Sequence, residues 1–187
     1  MKPINNYENV QATTGDFNRL PAGGYICRIT LADDVPLNDE TGKGDYLKIE
    51  FDIASGEYKG YFEKQHERFP DYRGGSFIRS YKEKALGMFK HFTNCIEQSN
   101  AGYVWAWDEK SLMGKHIGLV IGYEEYVNGS GETKESLYVK DVKTVEQIKQ
   151  GDFKTPELKK LSVEVPNKIA QSATFVSSAE LPDDLPF

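Results

Sequence analysis

The sequence predicts a mainly β domain with one inserted α-helix and a C-terminal tail too polar to fold. Three observations predict it. Short runs alternate apolar and polar residues with a period of two, bounded by Gly, Asn and Asp clusters. One longer stretch repeats its apolar residues at spacings of three and four. The last part of the chain is polar and broken by Pro156, Pro166, Pro182 and Pro186. With 187 residues and 39% hydrophobic content, the chain can bury one core and still carry an extension.

Residues 1–19 are polar and Asn-rich and read as an irregular N-terminal arm. Leu20-Pro21-Ala22-Gly23-Gly24 is a turn signal leading into a strand over 25–31, where Tyr25, Cys27, Ile29 and Leu31 share one face. A polar loop over 33–44 precedes the clearest strand, Tyr46–Ile53. Its Leu47, Ile49, Phe51 and Ile53 face inward, and Tyr46, Lys48, Glu50 and Asp52 face outward. The two runs read as an antiparallel pair. Residues 55–68 read as a bend and short strand or, over 62–66, as a helical turn. After a loop over 69–75, Ser76–Ser80 is a short strand. The best helix covers 82–98, with Ala85, Met88, Phe89, Phe92 and Ile96 on one stripe, and Ser99, Asn100 and Gly102 end it. Residues 108–113 suit one helical turn, and 116–126 a strand holding two glycines. Asn128-Gly129-Ser130-Gly131 is a hairpin turn, and 136–143 returns. Residues 144–149 form a short helix, capped by Thr144 and stopped by Gly151.

About five strands, a helix between the third and fourth, and long loops fit a small closed barrel. An OB-fold is the expected architecture, with a β-sandwich as the alternative. This OB-like domain spans 20–151, a flexible linker 152–180, and an acidic tip 181–187. Residues 167–179 are mostly Asn, Gln, Ser, Thr and Ala, too polar to offset the cost of ordering.

Several function classes are excluded. No apolar run approaches the ~18 residues of a membrane span, and the N-terminus lacks the apolar stretch of a signal peptide. A cytoplasmic location without membrane contact is therefore expected. Cys27 and Cys95, with no CxxC, read as reduced thiols. His66, His91 and His116 lack ligand spacing, so no zinc site is expected. No Gly-rich phosphate loop ending in Lys-Ser/Thr and no G-x-S-x-G elbow occur. Asp33-Asp34, Asp39-Glu40 and Glu124-Glu125 lie in loops or beside turns and read as solvated pairs. Lys48, Glu50 and Asp52 loosely imitate a metal-nuclease set, yet their alternation on one strand reads as a solvent face. The expectation is no enzyme and no cofactor.

The chain ends in Leu181-Pro182-Asp183-Asp184-Leu185-Pro186-Phe187. Physically this is a short linear ligand. Phe187 can fill an apolar pocket, its α-carboxylate can pair with a rim Arg or Lys, and Asp183 and Asp184 can meet further bases. Pro186, beside Leu185, limits the freedom lost on docking. The tip closely resembles that of bacterial single-stranded-DNA-binding proteins, which end in acidic residues followed by Ile or Leu, Pro and Phe. In that family the tip recruits replication and repair enzymes at the end of a disordered linker. The body departs from that family's usual short N-terminal sequence. Residues 20–25 and 46–60 look instead like proteins of phages and mobile elements of Gram-positive bacteria, some of them labelled single-stranded-DNA-binding. The resemblance implies sequence-nonspecific binding that protects single-stranded DNA. It further implies recruitment of replication, recombination or repair proteins through the tip, and it leaves a homo-oligomer open.

Net charge is −6, which opposes a generally positive nucleic-acid surface. The segment from Pro166 to Phe187 carries −2 and leaves −4 for the rest. Any DNA site is then a local basic and aromatic groove, where each stacked base is worth roughly 1–3 kcal/mol. Tyr46 and Lys48 lie on the outward face of the best strand, with Arg28 on the matching face of its neighbour. Arg73, Phe77, Arg79, Tyr81, Lys82 and Lys84 form the most basic-aromatic stretch. Trp105 and Trp107 flank Ala106 and point the same way in an extended segment; one suits burial and the other stacking. Tyr138 and Lys140 share a face on the last strand. Two other readings compete: a partner-binding adaptor that uses the tail without holding DNA, and a recombination-associated nuclease.

Overall fold

The structure, a computed structural model, describes residues 19–38, 40–70 and 74–161. The elements run β1 (Gly23–Val35), β2 (Tyr46–Ile53), α1 (Tyr61–Arg68), β3 (Ser76–Ser80), α2 (Leu86–Ser99), β4 (His116–Val127), β5 (Thr133–Lys143) and α3 (Val145–Gln150). One antiparallel sheet orders the strands β3-β2-β1-β4-β5. β1 is its hinge. Gly23 to Arg28 pair with β4, and Cys27 to Val35 pair with β2.

A bulge at Thr30 makes this double use possible. Ile29 lies opposite Phe51, but Leu31 lies opposite Glu50 and Ala32 opposite Ile49. The inner face expected along β1 therefore holds as far as Ile29. Beyond the extra residue Ala32 turns inward, and Leu31 joins Glu50 on the outer face. β2 keeps its expected alternation, with Leu47, Ile49, Phe51 and Ile53 all in the core.

No ladder joins β3 to β5 among the described residues, so hydrogen bonds do not close the expected barrel. α2 touches β3, β4 and β5 and lies across that opening. Its Phe89, Phe92, Cys95 and Ile96 are buried. His91 Nε2 lies 2.8 Å from the Val142 carbonyl, which occupies a backbone acceptor on the edge strand β5. The helix starts later than expected, after a 3₁₀ turn at Glu83–Ala85. Met88, which its spacing places on the buried stripe, is 58% exposed. Both cysteines are free and buried.

α1 starts at Gly60, which has no side chain to cap it. The Asp52 carboxylate takes that role from β2, accepting hydrogen bonds from Phe62 N at 3.0 Å and Glu63 N at 3.2 Å. α3 has the capping box and the left-handed Gly151 that its sequence signals.

Composition predicts a linker from 152 onward, directly after α3. Residues 152–161 lie instead along β4. Lys159 N donates to Tyr123 O, and Glu125 N donates to Lys159 O, both at 2.9 Å. The reason is a trough cut by glycines on the outer face of β1 and β4. A Cβ at Gly24 would strike the Phe153 ring, at Gly118 the Ile148 side chain, and at Gly122 Pro156 and Tyr138. Phe153, Ile148 and Pro156 fill that trough, and Val120 beneath them is 2% exposed. Among the described residues, no helix is long and apolar enough to cross a membrane.

Candidate nucleic-acid interface

A chain of aromatic rings runs through the core. Phe62 meets Phe51 at 5.3 Å, Phe51 meets Phe77 at 5.8 Å, and Phe77 meets Phe92 at 5.9 Å between centroids. Phe92 meets Phe89 at 6.3 Å, and Phe89 then touches Tyr81, Trp105 and Trp107. Such edge and offset contacts fix ring orientation as well as burying area. The chain therefore ends in a rigid aromatic cluster at the start of α2.

Trp107 is the outermost member. It is 82% exposed, and its indole lies within 10° of parallel to the buried Phe89 ring. Its backbone holds φ at 60°. A bulky residue rarely adopts that left-handed region, and such strain concentrates at functional positions. The two ring centroids stand 6.3 Å apart, and most of the indole is open to solvent. Trp105 beside it is half-buried, with its amide donating to Glu97 Oε1 at 2.8 Å and its indole Nε1 buried. Of the two tryptophans, Trp107 is exposed and Trp105 half-buried.

Tyr81 packs on Phe89 at 5.6 Å, and its hydroxyl donates to Asp34 Oδ1 at 2.9 Å. Burial and then this bond push its phenol pKa up, so the ring stays neutral. Lys82 and Lys84 are exposed immediately after it. Tyr81 N donates to Asp45 O, which ties this corner to the start of β2. There Tyr46 lies between Val35 of β1 and Ser80 of β3 on the outer face. Lys48 follows on the same face, opposite Asp33 and Ile78. Arg28 is exposed further along, opposite Asp52 and His116, at the rim of a cleft of ≈270 Å³ shared with Thr30, Glu63 and His66. Arg28, Lys48 and Tyr46 thus share the outer face of β1–β2, and the Tyr81 backbone amide ties the corner of β2 to the cluster of Tyr81, Phe89 and Trp107.

Cationic charge along this surface is thin. Lys48 Nζ sits 2.7 Å from Glu50 Oε1, and Asp33 faces it across β1. Among the described residues, no three His, Cys, Asp or Glu side chains converge to hold a metal ion. Glu50 is engaged by Lys48 and Asp52 by the N-terminus of α1.

The other expected site residues lie elsewhere. Phe77 and Arg79 pair across β3 with Ile49 and Leu47, so both point into the core and not onto the outer face. The charge of Arg79 suggests exposure, whereas it is Ile78 that faces out. The Arg79 guanidinium lies 4.6 Å from the Phe77 ring and 5.7 Å from Phe92. It makes no ion pair among the described residues, and burial lowers its pKa to about 10. Tyr138 lies under Pro156 and over Gly122. Lys140 is the extra residue of a bulge in β5, which breaks the face it was expected to share with Tyr138. Arg73, Asp183, Asp184, Leu185, Pro186 and Phe187 lie outside the described residues.

The position of Arg79 carries a prediction. A buried cation with no acid in contact costs desolvation that a methionine of similar volume avoids, and the more distant Asp141 offsets only part of that cost. Arg79→Met is expected to leave urea stability within about 1 kcal/mol of the unaltered chain, or higher. A loss of several kcal/mol would show that the guanidinium makes a net stabilising contact.

Two contributors leave no local mark in the sequence. Phe89, whose helical spacing places it in the core, also lies parallel to the Trp107 indole. Asp34 holds Tyr81, a contact between residues far apart in the chain that no local pattern reveals. Against known protein families and curated proteins, the chain matches no family model and no protein.

Proposed function

We propose that this chain binds single-stranded DNA with little sequence preference and recruits replication, recombination or repair proteins through its C-terminal tip. The observation that carries the DNA reading is Trp107, an exposed indole held parallel to the buried Phe89 ring at 6.3 Å between centroids. An exposed indole beside an ordered ring is a platform on which any base can stack. Tyr81, Lys82 and Tyr46 continue the surface. The strand order β3-β2-β1-β4-β5, with α2 between β3 and β4, supports an OB-like architecture. The terminal Asp-Asp-Leu-Pro-Phe supports the recruiting role. The thin positive charge makes stacking the main source of affinity.

The test is the anisotropy of a labelled thymine oligonucleotide titrated with the unaltered chain and with Trp107→Ala, against a duplex of equal length. The unaltered chain is expected to bind the single strand and not the duplex. Losing one stacked base corresponds to roughly 5- to 150-fold weaker binding. Thermal stability is expected to hold, since the side chain is exposed. The net charge and the Lys48–Glu50 pair favour one second reading, an adaptor that works through its tail alone. Absent single-strand binding by the unaltered chain, with tail-dependent partner binding intact, would select the adaptor.

A further inference from the structure

We infer that a second contact with the strand, made to its phosphates, lies in the cleft between β5 and the turn after α3. This rests on the single-strand-binding reading above. The cleft has a volume of ≈470 Å³ and is lined by Lys140, Lys143, Lys154, Asp141, Asp152 and Phe153, among others. Its charges are not equivalent. Asp141 accepts a hydrogen bond from Val142 N at 2.8 Å and pairs with Lys143 at 3.3 Å. Asp152 accepts from the Gln147 side chain at 3.0 Å. Both acids and one lysine are thus engaged within the fold. Lys140 and Lys154 are exposed and make no ion pair among the described residues. The bulge that displaces Lys140 from its strand face is the kind of irregularity that re-aims a side chain.

The chemistry of the cleft selects the ligand class. Lysine acts on phosphate as a point charge and needs no fixed fork geometry. An acidic peptide would need an apolar anchor as well, and the apolar surface here is already occupied. Val120 is 2% exposed, and the Phe153 ring packs over Gly24. Two such ammonium groups without a vacant apolar pocket suit a sugar-phosphate backbone. This division of labour follows: the Trp107 shelf stacks bases, and the β5 cleft neutralises phosphates.

The two roles separate by salt. Binding to poly(dT) is measured across a salt series for the unaltered chain, for Lys140→Ala/Lys154→Ala and for Trp107→Ala. Each phosphate contact on a single strand contributes about 0.7 to the slope of log affinity against log salt. The double lysine variant is expected to flatten the slope by roughly 1.4, the effect of two contacts. Trp107→Ala is expected to weaken binding at every salt concentration and leave the slope unchanged. Circular dichroism of the double variant checks that it is folded, as expected for two exposed lysines. If the unaltered chain binds and the double variant keeps its slope, this inference fails and the single-strand reading stands. It fails in the same way if the double variant loses only the binding of an acidic peptide. If the unaltered chain does not bind poly(dT), both fail.

Discussion

Ending the chain after Gly151 is expected to lower its stability by about 3–5 kcal/mol relative to ending it after Leu161. Both truncations remove the acidic tip, so the difference isolates residues 152–161. These residues supply the Phe153 ring over Gly24, Pro156 over Gly122 and two backbone hydrogen bonds between Lys159 and β4. Losing a large packed ring costs up to several kcal/mol, and each net hydrogen bond adds about 1 kcal/mol. The glycines cannot compensate, because without the strap they leave bare backbone and the buried face of Val120 to water. Urea denaturation of the two truncations, with a dye that reports exposed apolar surface, checks this. Equal midpoints and no dye binding by the shorter chain would show that the strap contributes nothing. With the chain ended after Leu161, which keeps Lys154, single-strand affinity is expected to persist while tip-dependent recruitment disappears.

Much of the fold is legible in the sequence because it is written locally. The bounds of β2 and β3 follow from period-two alternation, and α3 from a Thr cap with a Gly stop. The rest depends on contacts between distant residues. The bulge at Thr30 is invisible in an alternating run, yet it decides that Leu31 turns outward. The order of segment 152–161 is hidden in Gly24, Gly118 and Gly122, which read as weak strand residues until the partner that fills them is known. The candidate site divides in the same way. Tyr46 and Lys48 sit on the outer face because alternation on β2 is strict. Phe77 and Arg79 depart from expectation because a charged residue alternating with Ile78 suggests the opposite facing from the one the cross-strand partners Ile49 and Leu47 impose. Spacing alone also misassigns Met88, since α2 begins only at Leu86 and its first turn lies at the edge of the core.

Phe92→Ala is expected to cost about 3–5 kcal/mol and to weaken single-strand binding without touching the exposed surface. Phe92 has no exposed area and sits mid-chain in the aromatic series, 5.9 Å from Phe77 and 6.3 Å from Phe89. It also backs the Arg79 guanidinium at 5.7 Å. Removing the ring opens a cavity beside a buried cation, and water drawn toward that charge would loosen the junction of α2 with β3. Phe89 would lose its inner support, and with it Trp107 would lose a fixed shelf. Trp105 and Trp107 report the change directly, through a red-shifted emission and faster indole motion in the native state. Phe92→Leu refills most of the volume and is expected to recover much of the stability but less of the shelf's rigidity, because an aliphatic side chain cannot make the edge contact with Phe89. Affinity that falls in step with indole mobility across the two variants would tie binding to the rigidity of the platform. Affinity that stays at the unaltered level in a folded Phe92→Ala protein would mean that Trp107 needs no ordered support to stack.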